Sequence, residues 1–453
     1  MRKDNFLKLI KEIKFKMKVS IIGTGYVGLV TGVCLADNGN DVVCVDIIKE
    51  KVDAINEGRA IIYEEDLEQI LVKNLKEKRL RATTNIGEAV KSADVIFISV
   101  GTPSRENKAI DLGFIENTSC EIGKALKNET NYKVIAVKST VVPGTTENVI
   151  IPLLEEFSDK KAGTDFGVCM IPEFLREGRA IYDFMNPDRA IIGEYDKKSG
   201  DKVFELFKNF SCPVLRTNLR TAEMIKYASN AFLATKISFI NEIANICELK
   251  GIDVNEVAKG IGLDKRINPH FLHAGIGFGG SCFPKDVSAL ISSVYENGYE
   301  PKLLKEVMKL NERQKLWPVR KVNEIFIDLK NKKIAILGLA FKGNSDDMRE
   351  APTFSIINLL LKKNANIHTY DPKATENAKR IFGNKINYCK NIDECLNDAD
   401  VCIIATDWDE FKKIYDKFNL MKNKIVIDGR KMLNPEKCKE LNVKYYGVGY
   451  KNE

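Results

Sequence analysis

The sequence predicts an α/β protein with two Rossmann-like, doubly wound domains joined by a long central helix. Three observations predict it. KVSIIGTGYVG (18–28) joins an apolar strand to a glycine turn and a helix start. The C-terminal third repeats that plan from KKIAILGLAFKG (332–343) onward. Between them, 214–250 contains neither glycine nor proline and carries Met224, Tyr227, Phe232, Ile237, Ile240 and Ile243 at helical spacing. The implied divisions are an N-terminal extension (1–16), a dinucleotide-binding domain (17–212), a central helical dimerisation domain (213–315) and a C-terminal Rossmann-like domain (316–453).

The first half is the more explicit. After the strand KVSII come Gly23, Gly25 and Gly28, then a helix-like GLVTGVCLADNG, then a second strand DVVCVD ending in Asp46, eighteen residues beyond Gly28. In that βαβ setting Gly23 permits the tight turn, Gly25 lets a pyrophosphate approach the backbone, and Gly28 lets helix and strand pack closely. The helix N-terminus adds a positive dipole. Asp46 takes the ribose hydroxyls and repels a 2′-phosphate, so NAD is expected over NADP. SADVIFISVGTP (92–103) and YKVIAVKST (132–140) are further strands, and their carboxyl ends direct Thr102, Pro103 and Thr140 at the cofactor crevice.

In the C-terminal third NIHTYDP (366–372), DADVCIIATDW (398–408) and NKIVIDGRK (423–431) echo the strands of the first half, but the turn holds only Gly338 and Gly343, with Phe341 and Lys342 between. A ligand other than the dinucleotide is expected there. Lys342, Arg430 and an aromatic ring suit a phosphate and a base. In the central helix the apolar residues read as core or dimer interface. Lys226 and Asn230, at i,i+4, share one face, which is either solvated or turned on a single ligand.

Composition narrows the functional classes. The chain has 453 residues, 44% of them hydrophobic and 29% charged, more than one ordinary core accommodates. No apolar run approaches the roughly 18 residues that cross a bilayer, and the opening MRKDNFLKLIKEIKFKMK is too charged for a signal peptide. A cytoplasmic protein is expected. Residues 1–16 read either as a surface amphipathic helix or as an upstream start, without chemistry in either case. The 11 cysteines are an odd set without CxxC, and Cys34, Cys44, Cys169 and Cys402 fall in apolar runs where a reduced thiol packs as a small hydrophobe. Three histidines form no HExxH, so no metal site is expected. The net charge of +7 is diffuse, without a nucleic-acid motif. A small phosphorylated ligand accounts for it equally well.

One cysteine is placed differently. FGGSCFPKD (278–286) sets Cys282 after two glycines and before a proline, a lysine and an aspartate. Nine residues by themselves fit an ordinary loop cysteine. Beside a nicotinamide fold a thiol gains a use, because hydride leaves readily from a thiohemiacetal and the resulting thioester can be hydrolysed.

With these residues assembled, the chain resembles the UDP-glucose/GDP-mannose dehydrogenase family, and within it the UDP-glucose 6-dehydrogenases, from GTGYVG at 23 to DGRK at 428. The motifs are GFGGSCFPKD, IPEFLREG with Glu173 and Glu177, AEMIKYASNAF with Lys226 and Asn230, and LGLAFKGNSDDMRE with Lys342 and Arg349. The resemblance implies two successive hydride transfers to NAD that take the C6 alcohol of UDP-glucose to the carboxylate of UDP-glucuronate. It implies that Asp286, with Lys226 and a water held by Thr140, assists the first proton removal, that Lys226 and Asn230 stabilise oxyanion charge at C6, and that Cys282 is the nucleophile. It implies further that Glu177, with Glu173 sharing the role, activates the water that splits the thioester. Carried over for NAD are Gly23, Gly25, Gly28, Asp46, Lys51, Thr102, Thr140, Lys285 and Arg349. The UDP-sugar side draws on the Phe174 to Glu177 backbone, Lys226, Asn230, Arg266, Phe271, Gly279, Phe341, Lys342 and Arg430, with Arg266 resembling the arginine that the family's partner subunit supplies. A homodimer or larger homo-oligomer is therefore expected.

The chain departs from the family pattern in three places. It has IYEEDL (62–67) for IYEPGL, expected to be a surface helix start; STVVPGT (139–145) for STVPVGT; and RINPHFL for the usual RIG, with Asn268 where glycine is common. Competing readings are a GDP-mannose or UDP-N-acetylhexosamine 6-dehydrogenase and, from a different class, a non-catalytic nucleotide-sugar-binding protein. Ser281 and FPKD speak against the acetamido sugars.

Overall fold

The computed structural model describes residues 17–450 apart from Glu296; the extension 1–16 lies outside the described residues. The chain divides into two compact units, one ending at Ala228 and the other beginning at Ser229.

The first unit is built on eight strands: β1 (Lys18–Ile22), β2 (Asp41–Val45), β3 (Leu80–Thr83), β4 (Val95–Ile98), β5 (Val134–Val137), β6 (Gly167–Met170), β7 (Ala190–Glu194) and β8 (Val214–Thr217). They run in the order 3-2-1-4-5-6-7-8, parallel except between β6 and β7. The first six give the Rossmann order, whose direction reverses between β1 and β4. The strands are apolar on both faces because helices cover both. In β1, Val19 and Ile21 enter one core with Leu29, Val33 and Cys44, while Ile22 enters the other with Ile96, Ile98 and Val137.

The second unit repeats the plan with β9 (Lys333–Leu337), β10 (Asn366–Tyr370), β11 (Asn387–Tyr388), β12 (Val401–Ile404), β13 (Ile425–Asp428) and β14 (Lys444–Gly447). Their order, 11-10-9-12-13-14, is again 3-2-1-4-5-6, with every pairing parallel. Ile334 and Ile336 pack with Ile240, Ala244 and Cys247, and Ala335 and Leu337 with Phe411 and Phe418.

The central helix runs from Leu219 to Lys250, 32 residues, so its expected start at 214 is corrected. Val214 to Thr217 instead pair as β8 with β7, and the Asn218 side chain accepts a hydrogen bond from the Thr221 amide at 2.8 Å, starting the helix there. Tyr227 and Ile240 are buried, whereas Met224, Phe232 and Phe239 are exposed. No described helix is long and apolar enough to cross a membrane.

Candidate active site

In the first unit the glycine turn follows β1 as spacing predicts. Gly23 has φ +97° and lies where a Cβ would stand 2.8 Å from the Ser99 carbonyl oxygen, and a Cβ on Gly28 would meet the Gly23 carbonyl at 1.9 Å. At Gly25 a Cβ would meet nothing within 4 Å. That residue caps the helix Tyr26–Asp37 without a side-chain hydrogen bond, leaving an open approach to a helix N-terminus. Asp46, at the end of β2, accepts from the Thr24 amide (3.1 Å) and hydroxyl (2.6 Å) and from the Ile48 amide (3.1 Å), with Lys51 Nζ at 3.5 Å. Burial pushes its carboxyl up, but these donors outweigh it and hold it below the ordinary range. Beside this cradle the Thr102 hydroxyl donates to the Thr140 carbonyl at 2.9 Å. Bare backbone at Gly25 and an ionised Asp46 past β2 fit NAD.

The loop after β6 carries the acids. Glu173 is 6% exposed; its Oε1 lies 2.8 Å from Lys226 Nζ and its Oε2 accepts from the Leu175 amide at 2.6 Å. Burial pushes this carboxyl up, yet Lys226, the Leu175 amide and Lys138 hold it below the ordinary range. The Phe174 ring carries the Arg189 guanidinium at 3.7 Å and the Lys226 ammonium at 5.6 Å. Glu177 is half-buried.

Two residues that sequence reasoning missed fix these loops. Glu64, expected on a surface helix start, is buried and accepts from the Gly178 amide (2.8 Å), the Ala180 amide (2.6 Å) and the Tyr26 hydroxyl. It thus ties the acid loop to the first residue of the dinucleotide helix; the helix of that motif starts later, at Leu67. Glu223 accepts from the amides of Gly144 (2.5 Å) and Thr146 (2.9 Å) and from the Thr146 hydroxyl (2.6 Å), holding the STVVPGT turn that follows Thr140. Burial raises its pKa.

In the second unit Cys282 directly precedes the helix Phe283–Tyr295, and its carbonyl accepts from the Asp286 amide at 2.8 Å. A helix N-terminus favours a thiolate. The Ser281 hydroxyl is 3.6 Å from the sulfur. Asp286, 1% exposed, receives Lys285 Nζ on one oxygen and Asn230 Nδ2 on the other, both at 2.6 Å. The glycines before Cys282 are required by close approach: a Cβ on Gly279 would stand 2.3 Å from the Glu350 carbonyl oxygen, and one on Gly280 (φ +81°) would meet the Phe341 ring at 2.8 Å. Asn311, also missed, brackets this loop by accepting from the Phe278 amide and donating to its carbonyl.

Phe341, Lys342 and Arg430 are brought together as the C-terminal sequence suggested. Lys342 Nζ lies 5.2 Å over the Phe341 ring, and Arg430 donates to the carbonyls of Ala405, Gly277 and Phe341 at 2.8, 3.2 and 3.1 Å. The turn after β9 offers no second dinucleotide cradle, because the Leu339 and Ala340 amides are held by Asp371, over which Trp408 also donates. Arg349 lies on Asp347, and its carbonyl accepts from Gly280. Arg266, almost fully exposed, pairs with Asp264 two residues away and joins none of these sets. Asn268 and Phe271 have φ of +66° and +65°, so asparagine stands for glycine at a left-handed position that it tolerates. Among the described residues no group of three or more His, Cys, Asp or Glu is placed to hold a metal ion.

A dinucleotide cradle on one Rossmann sheet, a cysteine at a helix N-terminus and an aromatic-basic cluster on a second Rossmann sheet are the parts of an NAD-binding oxidoreductase. Family comparison gives the same class. The chain matches the NAD binding domain (17–211), the central domain (220–313) and the UDP binding domain (335–435) of the UDP-glucose/GDP-mannose dehydrogenase family. It is 44% identical to the UDP-glucose 6-dehydrogenase TuaD of Bacillus subtilis over 95% of this chain and 93% of that one. It is 43% identical to AglM of Haloferax volcanii, a UDP-glucose 6-dehydrogenase, over 92% and 97%. Among solved structures, a UDP-glucose dehydrogenase from Pyrobaculum islandicum superposes with a TM-score of 0.91 at 36% identity, covering 97% of this chain and 99% of that one. The chain belongs to the UDP-glucose/GDP-mannose dehydrogenase family, and its cofactor is NAD.

Proposed function

We propose that the chain oxidises C6 of UDP-glucose twice, to UDP-glucuronate, through a thioester on Cys282. The observation that carries this reading is Cys282 at the N-terminus of the helix that carries Lys285 and the buried Asp286, to which Lys285 and Asn230 both donate. An alcohol dehydrogenase that stops at the aldehyde has no use for a thiol so placed.

Bound NAD supplies the hydride acceptor at both oxidations. Gly23, Gly25, Gly28, Asp46, Lys51, Thr102, Thr140, Lys285 and Arg349 would hold it. Asp286, with Lys226 and a water on Thr140, takes the hydroxyl proton as the alcohol becomes an aldehyde. The Cys282 thiolate adds to the aldehyde carbon, and Lys226 and Asn230 stabilise the oxyanion formed. Loss of the second hydride collapses that oxyanion to the thioester. Glu177, assisted by Glu173, takes a proton from the attacking water; the C–S bond breaks and Cys282 leaves as thiolate, so the products are the carboxylate and regenerated enzyme. The UDP-sugar is held by the Phe174 to Glu177 backbone, Phe271, Gly279, Phe341, Lys342 and Arg430, with Arg266 reaching the site of a second copy in a homodimer. The UDP binding domain of the family supports uridine, and the cytoplasm, where nucleotide sugars and NAD coexist, is the compartment this chemistry requires.

A substrate panel tests the reading. UDP-glucose is expected to exceed GDP-mannose and UDP-N-acetylhexosamines in kcat/KM by about 100-fold or more, because a site built to pair one substrate's polar groups leaves buried groups unpaired with another. A preference for GDP-mannose would keep the chemistry and replace the substrate. Binding without turnover on every sugar would favour the non-catalytic alternative.

A further inference from the structure

Lys138, at the end of β5, has no part in the scheme above. Its side chain is 5% exposed, and it lines a cavity of about 210 Å³ walled by the acid loop, the helix Ala180–Met185 and the segment leading into β7. Its ammonium lies 6.0 Å from the Phe184 ring centre and feels two charges, Glu173 and Lys226. Burial pulls it down to about 8, with Glu173 opposing and Lys226 adding. The other charged groups on the cavity wall are occupied differently. Arg176 and Arg179 face Asp183 at 2.6 and 3.5 Å, and Arg189, beside Asp188, stacks on Phe174. Lys138 thus shares the cavity wall with Glu173, whose Oε1 meets Lys226 at 2.8 Å.

We propose that Lys138 is a positioning residue whose buried charge holds Glu173 ionised as the acceptor of Lys226 and biases Lys226 toward releasing its proton. The proposal rests on the reading that Lys226 acts at C6. A cation kept in a low-dielectric cavity with no ion pair of its own among the described residues destabilises the fold, and what it does there is set the field on the neighbouring pair. The direction of the effect is independent of whether Lys226 works as a base or as an oxyanion partner, since removing a like charge makes Lys226 hold its proton more tightly in both cases.

The test is kcat against pH, with UDP-glucose and saturating NAD, for the wild type, Lys138→Met, Lys138→Gln and Lys138→Arg, alongside NAD binding as a check on folding. The limb governed by Lys226 is expected at or below about pH 8, where Lys138 is still charged, and to move to higher pH in the neutral variants by about half to one pH unit; Lys138→Arg, which keeps its charge at every pH, is expected to leave that limb at or below its wild-type position. A uniform fall in kcat with an unmoved profile would mean a packing role and overturn the proposal. Should the wild type turn over no nucleotide sugar, the functional reading fails and Lys138 is judged without substrate. The folded wild type sheds this proton near pH 8 while the unfolded chain keeps it to about 10.4, so wild-type stability must gain on Lys138→Met across that window. A pH-independent difference in melting midpoint would show that no buried charge is there to act.

Discussion

The ammonium of Lys226 sits 2.8 Å from Oε1 of Glu173, with the two side chains 4% and 5% exposed. A pair buried this far stabilises little by itself, but removal of one member strands the other. Glu173→Gln removes the carboxylate that the buried Lys226 ammonium meets. It is expected to lose about 3–5 kcal/mol of stability, and Glu173→Gln combined with Lys226→Met to recover part of that. Thermal unfolding of the three proteins checks it.

The glycine turn separates binding from folding. Gly28→Ala forces a Cβ to within 1.9 Å of the Gly23 carbonyl, so it is expected to lower the melting midpoint. Gly25→Ala meets nothing within 4 Å and is expected to fold normally while raising the NAD KM at least about tenfold, one methyl standing where a pyrophosphate must approach. Equal melting losses in the two variants would contradict the assignment of Gly25 as the open position.

Glu64 couples two functional loops through three donors. Glu64→Ala leaves the Gly178 and Ala180 amides without their acceptor, with an expected loss of about 2–4 kcal/mol and a fall in kcat, because the loop that loosens carries Glu173 and Glu177. Tyr26→Phe removes one donor of the three, and about 1 kcal/mol is expected. Urea unfolding with parallel rate measurements separates these outcomes.

The pattern of what could be read from sequence has a physical basis. The cradle glycines, Asp46, Cys282 and the strand-end threonines are local: fixed spacing along one βαβ unit or one helix start places them. Lys226 and Asn230 follow from helical periodicity. Glu64, Glu223, Asn311 and Lys138 act on segments 33 to 116 residues away along the chain or across a cavity. Nothing in their own neighbourhood distinguishes a buried acceptor from a surface acid. Glu64 was misread for that reason, since EEDL before an apolar run is the composition of an exposed helix start. The helix boundary at 219 was missed because absence of glycine and proline permits a helix without requiring one; β-branched Val214 and Thr217 favour the strand. Asn268 shows the opposite case, where a departure from the family pattern is explained by one backbone angle.

Arg266 offers a test of assembly. It is almost fully exposed and bonded to Asp264, as suits a residue that completes a second copy's site. Arg266→Ala and Cys282→Ser proteins, each expected to be inactive by itself, are expected to regain activity when mixed and allowed to exchange subunits, because in the proposed homodimer one site of the mixed pair would then have both groups. Absence of complementation despite demonstrated exchange would place Arg266 outside the shared site.

The most direct test of the central claim is the number of NADH molecules formed per molecule of limiting UDP-glucose under excess NAD, with Cys282→Ser run alongside. The account predicts two for the wild type and loss of the second in the variant. One per sugar in the wild type, or two in the variant at an undiminished rate, would contradict a thioester on Cys282.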